Sequence, residues 1–143
     1  DERPTLRVDL IGPALDAVEA ERGGPQQYFE VNATSALVNV FVADPEAGTV
    51  IPYVFVDGEL AARDASPAQG ATFGRDALDD LDPATVTDQV SADLPDSVQD
   101  AFVVEGGADG SVRYSVVVSS LAGGQLLVIV AGDGTVLSVE AVG

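Results

Sequence analysis

A shift of 76 residues lays one strand-rich stretch of this chain onto another. It places Ala36-Leu37-Val38 on Val112-Arg113-Tyr114, Val50 to Val54 on Leu126 to Val130, and Asp57-Gly58-Glu59-Leu60 on Asp133-Gly134-Thr135-Val136. The strands ahead of these need a shift of 73, which sets Phe29 on Phe102. The three-residue difference falls in a loop, where insertions are tolerated. Self-similarity at a fixed interval points to a duplicated supersecondary unit and limits the folds open to the chain.

Local signals fill in the unit. Gly12-Pro13 opens a helix, with proline suited to its first position. Ala14, Leu15 and Val18 recur at helical spacing, and Gly23-Gly24 stops it, so the pattern predicts a first helix over Pro13 to Arg22. Ahead of it, Leu6, Val8 and Leu10 alternate, as in a short strand or an extended lead-in. Asp82-Pro83 reads as an N-cap followed by a first-turn proline, and Val86, Val90 and Leu94 predict a second helix over Pro83 to Leu94. Strands follow each helix: Tyr28 to Val31, Ala36 to Ala43 and Val50 to Val56 in the first stretch, and Ala101 to Glu105, Val112 to Ser119 and Gln125 to Ala131 in the second. Pro52 cannot donate to a ladder, which predicts an edge strand or a bulge there.

The expected fold is therefore α+β: two repeated helix-plus-antiparallel-meander halves, α-β-β-β twice, with their sheets side by side. Residues 1–62 form the first half, 63–82 a connector and 83–143 the second half, together one compact unit. Strand alternation places Val112, Tyr114, Val116 and Val118 on a core face, with Ala36, Val38, Val40 and Val42 as their counterparts. The opposite face of the first half carries Leu37, Asn39 and Phe41. Val50 to Val56 and Gln125 to Ala131 are apolar on both faces, and such strands need two covers. Burial within the molecule is the simplest cover. A homodimer mate or a binding partner is the sharper one, and it would use Leu37, Phe41, Tyr53 and Phe55. A one-residue slip in register would move Tyr53 and Phe55 to the other face.

The run from Ala84 to Glu140 reads helix, strand, turn, strand, strand and closes on Gly132-Asp133-Gly134-Thr135-Val136-Leu137. Through Tyr114-Ser115-Val116-Val117-Val118 and Asp133 to Leu137 it resembles the PepSY domain of peptidase propeptides and YpeB-like exported proteins. The Thr-Gly pair usual in the last turn of that family is absent. The tandem layout is also similar to the β-lactamase inhibitory protein family. Both resemblances imply an extracytoplasmic, non-catalytic module that binds or restrains a protein.

Charge and residue types narrow the chemistry. The chain has 143 residues, 24 of them acidic and six basic, for a formal net charge of −18. All six basic residues are arginine. Such a surface repels nucleic acids and anionic bilayers and attracts cationic partners or metal ions; it also confers solubility. No apolar run approaches the ~20 residues of a membrane span, so membrane insertion of this chain is not expected. Cysteine, histidine and lysine are all missing, which removes the commonest nucleophile–base pairs, thiolate metal sites and Schiff-base chemistry. The expectation is no enzyme activity, no cofactor and no resident metal. Two acidic stretches, Asp76, Asp79, Asp80 and Asp82, and Glu105 and Asp109 beside Gly106-Gly107, hold oxygen ligands of the kind calcium takes, without EF-hand spacing. A favourable charge at a helix start and a glycine turn explain them more simply. The chain contains no methionine, which predicts removal of a signal peptide or anchor from a longer precursor. The functional expectation is a protein-binding or regulatory module outside the cytoplasm. The alternatives are an oligomeric accessory domain of a lipoprotein and a small-ligand or calcium carrier.

Overall fold

In the computed structural model, residues 5–79, 81–107 and 111–142 are described. A 3-10 turn at Val8–Leu10 leads into helix α1 (Ile11–Arg22), followed by strands β1 (Gln27–Ala33), β2 (Val38–Asp44), β3 (Thr49–Val56) and β4 (Glu59–Ala62). Two short bridges, β5 (Ser66–Pro67) and β6 (Phe73–Gly74), and a 3-10 turn at Arg75–Leu78 carry the chain to α2 (Pro83–Asp93). Strands β7 (Ser97–Gly106), β8 (Val112–Ser120), β9 (Gln125–Val130) and β10 (Val136–Val142) complete it.

These strands form one sheet of ten, in the order β10-β9-β8-β7-β1-β2-β3-β4, with β5 on β3 and β6 on β1. This corrects the expected pair of α-β-β-β halves with sheets side by side. The protein is a predominantly antiparallel sheet carrying two short helices, and β1 and β7 hydrogen-bond through its middle. Val31 pairs with Val104 and Ala33 with Phe102 across that seam. A single buried cluster spans it, joining Ile11, Ala14, Leu15 and Val18 of α1 to Val86 and Val90 of α2 through Val31, Val40, Phe102 and Val116. Apart from the two-residue β5 and β6, four strands rather than three follow each helix. The extra ones, β4 and β10, have short or exposed sequences with little core-facing alternation.

Local chemistry explains most boundaries. Helix α1 stops where Gly23 turns left-handed at φ 85°, and the N–H groups of Gly23 and Gly24 both donate to Glu19 O, a glycine-terminated end. Its start lies two residues before the expected one; ahead of it Leu6 is buried just before a 3-10 turn from which Val8 and Leu10 pack on the core, and no strand forms there. Helix α2 begins as expected, with Asp82 accepting from Thr85 N–H at 3.4 Å and from Thr85 Oγ1 at 2.9 Å. Asp57 (φ 54°) and Gly58 (φ 77°) are both left-handed, as a two-residue hairpin between twisted strands requires. Asp133-Gly134 belongs to a longer turn, in which Thr135 N–H donates to Asp133 Oδ1 at 2.9 Å.

Pro52 sits inside β3, between its pairing with β4, which starts at Tyr53, and with β5, which ends at Val50. The Pro52 carbonyl accepts from Arg63 N–H at 2.7 Å on that outer side. Its nitrogen points the same way, so the missing donor falls in the gap between two short partners.

Candidate binding face

Both helices lie on one side of the sheet. Val38, Val40 and Val42 face them and are fully buried, as are Val116 and Val118. Their register partners on β3 are Phe55, Tyr53 and Ile51. Tyr53 and Phe55 are therefore core residues, each 6% exposed, and Arg22 of α1 donates to the Tyr53 hydroxyl at 3.3 Å. Phe41 projects from the opposite side of β2, opposite Pro52, and half-buried Leu37 precedes β2 in its turn. The four residues expected to form one partner surface are thus divided. Leu37 and Phe41 stay away from the core, while Tyr53 and Phe55 are consumed by it. Strand parity decides this, because one residue of register exchanges the faces.

The helix-free side is built in rows by the cross-strand register. One row runs Ile129, Ser115, Val103, Asn32, Asn39, Val54, and the next runs Arg113, Glu105, Glu30, Phe41, Pro52. Asn39 Nδ2 donates to Asn32 Oδ1 at 2.8 Å, and Asn32 Nδ2 donates to Glu30 Oε2 at 2.6 Å. Glu30 stands directly across the β1–β7 seam from Glu105. Burial pushes the Glu30 carboxyl above its ordinary range; the Asn32 amide opposes the rise and the Glu105 charge adds to it. The result is a polar centre of Glu30, Glu105, Asn32 and Asn39, with Arg113 paired in register beside Glu105, within a largely apolar face of Val54, Pro52, Phe41, Val103, Val117, Leu127 and Ile129.

A raised carboxylate pKa means the folded state binds the Glu30 proton more tightly than the unfolded chain does. Ionised Glu30 therefore costs stability at neutral pH, and the cost is relieved as pH falls through its folded pKa. Glu30→Gln, which keeps an acceptor for Asn32, is expected to raise stability at pH 7 by about 0.2–1 kcal/mol, the scale of a like-charge cross-strand pair. That advantage should vanish below about pH 4, where the unfolded carboxylate is protonated as well. Thermal unfolding at the two pH values checks this, and a Gln variant less stable at pH 7 would contradict it.

Sequence reasoning placed Asn39 on this face and missed Glu30, Asn32 and Glu105 as a group. The alternation of polar Glu30 and Asn32 with apolar Val31 and Ala33 was visible. The pairing that brings Glu105 beside them, across more than seventy residues of chain, was not.

Other candidate chemistry is sparse. Asp82 is spent on capping α2, and Asp76 and Asp79 lie at the 3-10 turn before it. Asp80 and Asp109 lie outside the described residues. Among the described residues no group of three or more acidic side chains is arranged to hold a metal ion, and no helix is long and apolar enough to cross a membrane. A cleft of about 390 Å³ beside the connector is lined by residues including Phe29, Pro45, Thr49 and Thr72, and opens to solvent.

The architecture is a broad antiparallel sheet with helices on one side and a mixed apolar and acidic face on the other. No protein-family model matches the chain, and no curated protein does. The fold is similar to the crystal structure of a candidate lipoprotein from Clostridium difficile 630, with a TM-score of 0.63 at 11% identity, over 98% of this chain and 95% of that one. At that identity the likeness concerns the fold.

Proposed function

We propose that this chain is a non-catalytic, extracytoplasmic module that binds a protein through the helix-free face of its sheet. The observation that carries the reading is that face: a broad, half-buried surface of mixed apolar and acidic residues with Glu30 and Glu105 opposed at its centre and, among the described residues, no helix over it. The lack of histidine, cysteine and lysine supports a role without covalent or acid–base chemistry. The PepSY resemblance and the β-lactamase inhibitory protein layout agree with it, and the lipoprotein naming of the structural neighbour supports a place at the cell envelope. The partner surface is cationic, because a chain of charge −18 steers positive surfaces toward it and repels acidic ones.

Crosslinking in the native envelope tests this when wild type is compared with three variants. Phe41→Asp and Glu105→Arg alter the face, and Asp88→Arg alters an exposed position on α2. Residues at the centre of an interface commonly cost about 2 kcal/mol or more when changed. The face variants should therefore lose most of a specific crosslink that the α2 variant keeps. Equal capture by all four proteins would sink the proposal.

A further inference from the structure

Among the described residues four large apolar side chains are well exposed: Leu121 in the β8–β9 turn, 66% exposed, and three along one edge of the sheet. Leu137, Val139 and Val142 are 63%, 45% and 46% exposed, and all three belong to β10. Among the described residues that strand pairs with β9 alone, on one side. An open edge presents unpaired N–H and C=O groups to any extended chain, and proteins usually blunt it with lysine, proline or short length. Strand β10 has seven residues, no lysine, no proline and one charge, Glu140. Its one blunting feature is a bulge at Leu137, beyond which Ser138 to Val142 pair regularly with β9. The other edge is managed differently: β4 has four residues, and Arg63 folds back onto Pro52 just after it.

We propose that a second copy of this chain adds antiparallel to β10, about a two-fold axis through Val139. The faces and the charge select this arrangement. Ser138 and Glu140 project on the helix-free side, opposite Ile129 and Leu127, and Val139 projects on the helix side, opposite Val128. A two-fold axis that keeps each face matched must pass through a residue. Through Glu140 it would set two carboxylates directly opposite, which is destabilising. Through Val139 it sets valine against valine, and each Glu140 meets the hydroxyl of the second copy's Ser138, which donates to it. Symmetry makes that contact twice, as an isologous interface requires. The contact is small, under about 1,200 Å², and so belongs to the weak class. The charge of −18 on each copy opposes association until salt screens it.

This edge is separate from the helix-free face, so its test stands apart from the function proposed above. Sedimentation equilibrium of the intact chain, up to millimolar concentration, should show a monomer–dimer equilibrium that tightens from low to half-molar sodium chloride. Ser138→Asp should weaken the dimer roughly two- to thirtyfold, and Ser138→Lys should strengthen it by a similar factor, from two cross-strand pairs. Combining Ser138→Asp with Glu140→Lys should restore it. Positions 138 and 140 are exposed, so these changes leave the fold intact. A monomer at millimolar concentration in half-molar salt would overturn the proposal. So would a dimer that responds equally to aspartate and lysine at position 138.

Discussion

Replacing Phe102 with alanine is expected to cost about 3–5 kcal/mol of unfolding free energy, and to do so in a single cooperative transition. Phe102 is fully buried on the central strand β7, beside Ala33 of β1 and Val116 of β8. Its ring lies 6.4 Å from that of Tyr114, tilted by 16°. Ala33 is too small to fill the space left behind, so the cavity term adds to the lost transfer free energy. The position also tests whether the core is one unit. Phe102 sits at the seam where β1 and β7 meet, and its cluster includes residues of both helices. Urea unfolding followed by far-UV circular dichroism and by tyrosine emission should give coincident curves, with the midpoint lowered in the variant. Two separated transitions would mean that the seam does not couple the two sides.

The second large effect is expected at Gly106. A Cβ there would collide with the Ala71 carbonyl oxygen and lie 2.7 Å from its carbon. Both are backbone atoms of the connector, and neither can rotate aside. The connector is held at this point because Phe73 is 1% exposed, pairs with Tyr28 through β6 and places its ring 5.9 Å from that residue's. Gly106→Val must push the connector off the end of β7, at a cost of about 1–3 kcal/mol for overpacking alone. Gly132 is the control. An added Cβ there meets Tyr114 Cε2 at 3.5 Å, an ordinary van der Waals distance, so Gly132→Ala should change stability by less than about 0.5 kcal/mol. The denaturant midpoint should fall in the Gly106 variant and stay nearly unchanged in the Gly132 variant. Limited proteolysis between residues 63 and 72 should speed up only in the Gly106 variant. Equal protection of that segment would refute the close approach as the cause.

Among the described residues, Asp9, Asp16 and Glu19 are the carboxylates that pair with arginine. Of the six arginines, Arg75 forms the main tertiary clamp, donating to Asp16 and Glu19 of α1 and holding the connector against that helix. Glu19 also accepts from the buried Tyr28 at 3.0 Å, and burial, with the Glu19 carboxylate adding to it, raises the Tyr28 pKa. Arg7 pairs locally with Asp9. Most carboxylates among the described residues thus have no cationic partner, and the long-range field they set is why the proposed partner surface is cationic.

The sequence by itself determined both helices, the six longer strands expected after them, and which side chains of β2 and β8 face inward. It did so because those properties rest on local rules: helical spacing in Ala14, Leu15 and Val18, an aspartate cap before Pro83, and alternation along Val38 to Val42 and Val112 to Val118. Only the tertiary structure decided that β1 joins β7, merging the expected sheets into one, and that Tyr53 and Phe55 turn toward α1 while Phe41 turns away. It also placed Glu30 against Glu105. Strand neighbours distant in sequence are chosen by the free energy of closing one shared core, and neither Val31 nor Phe102 carries a local mark that names its partner.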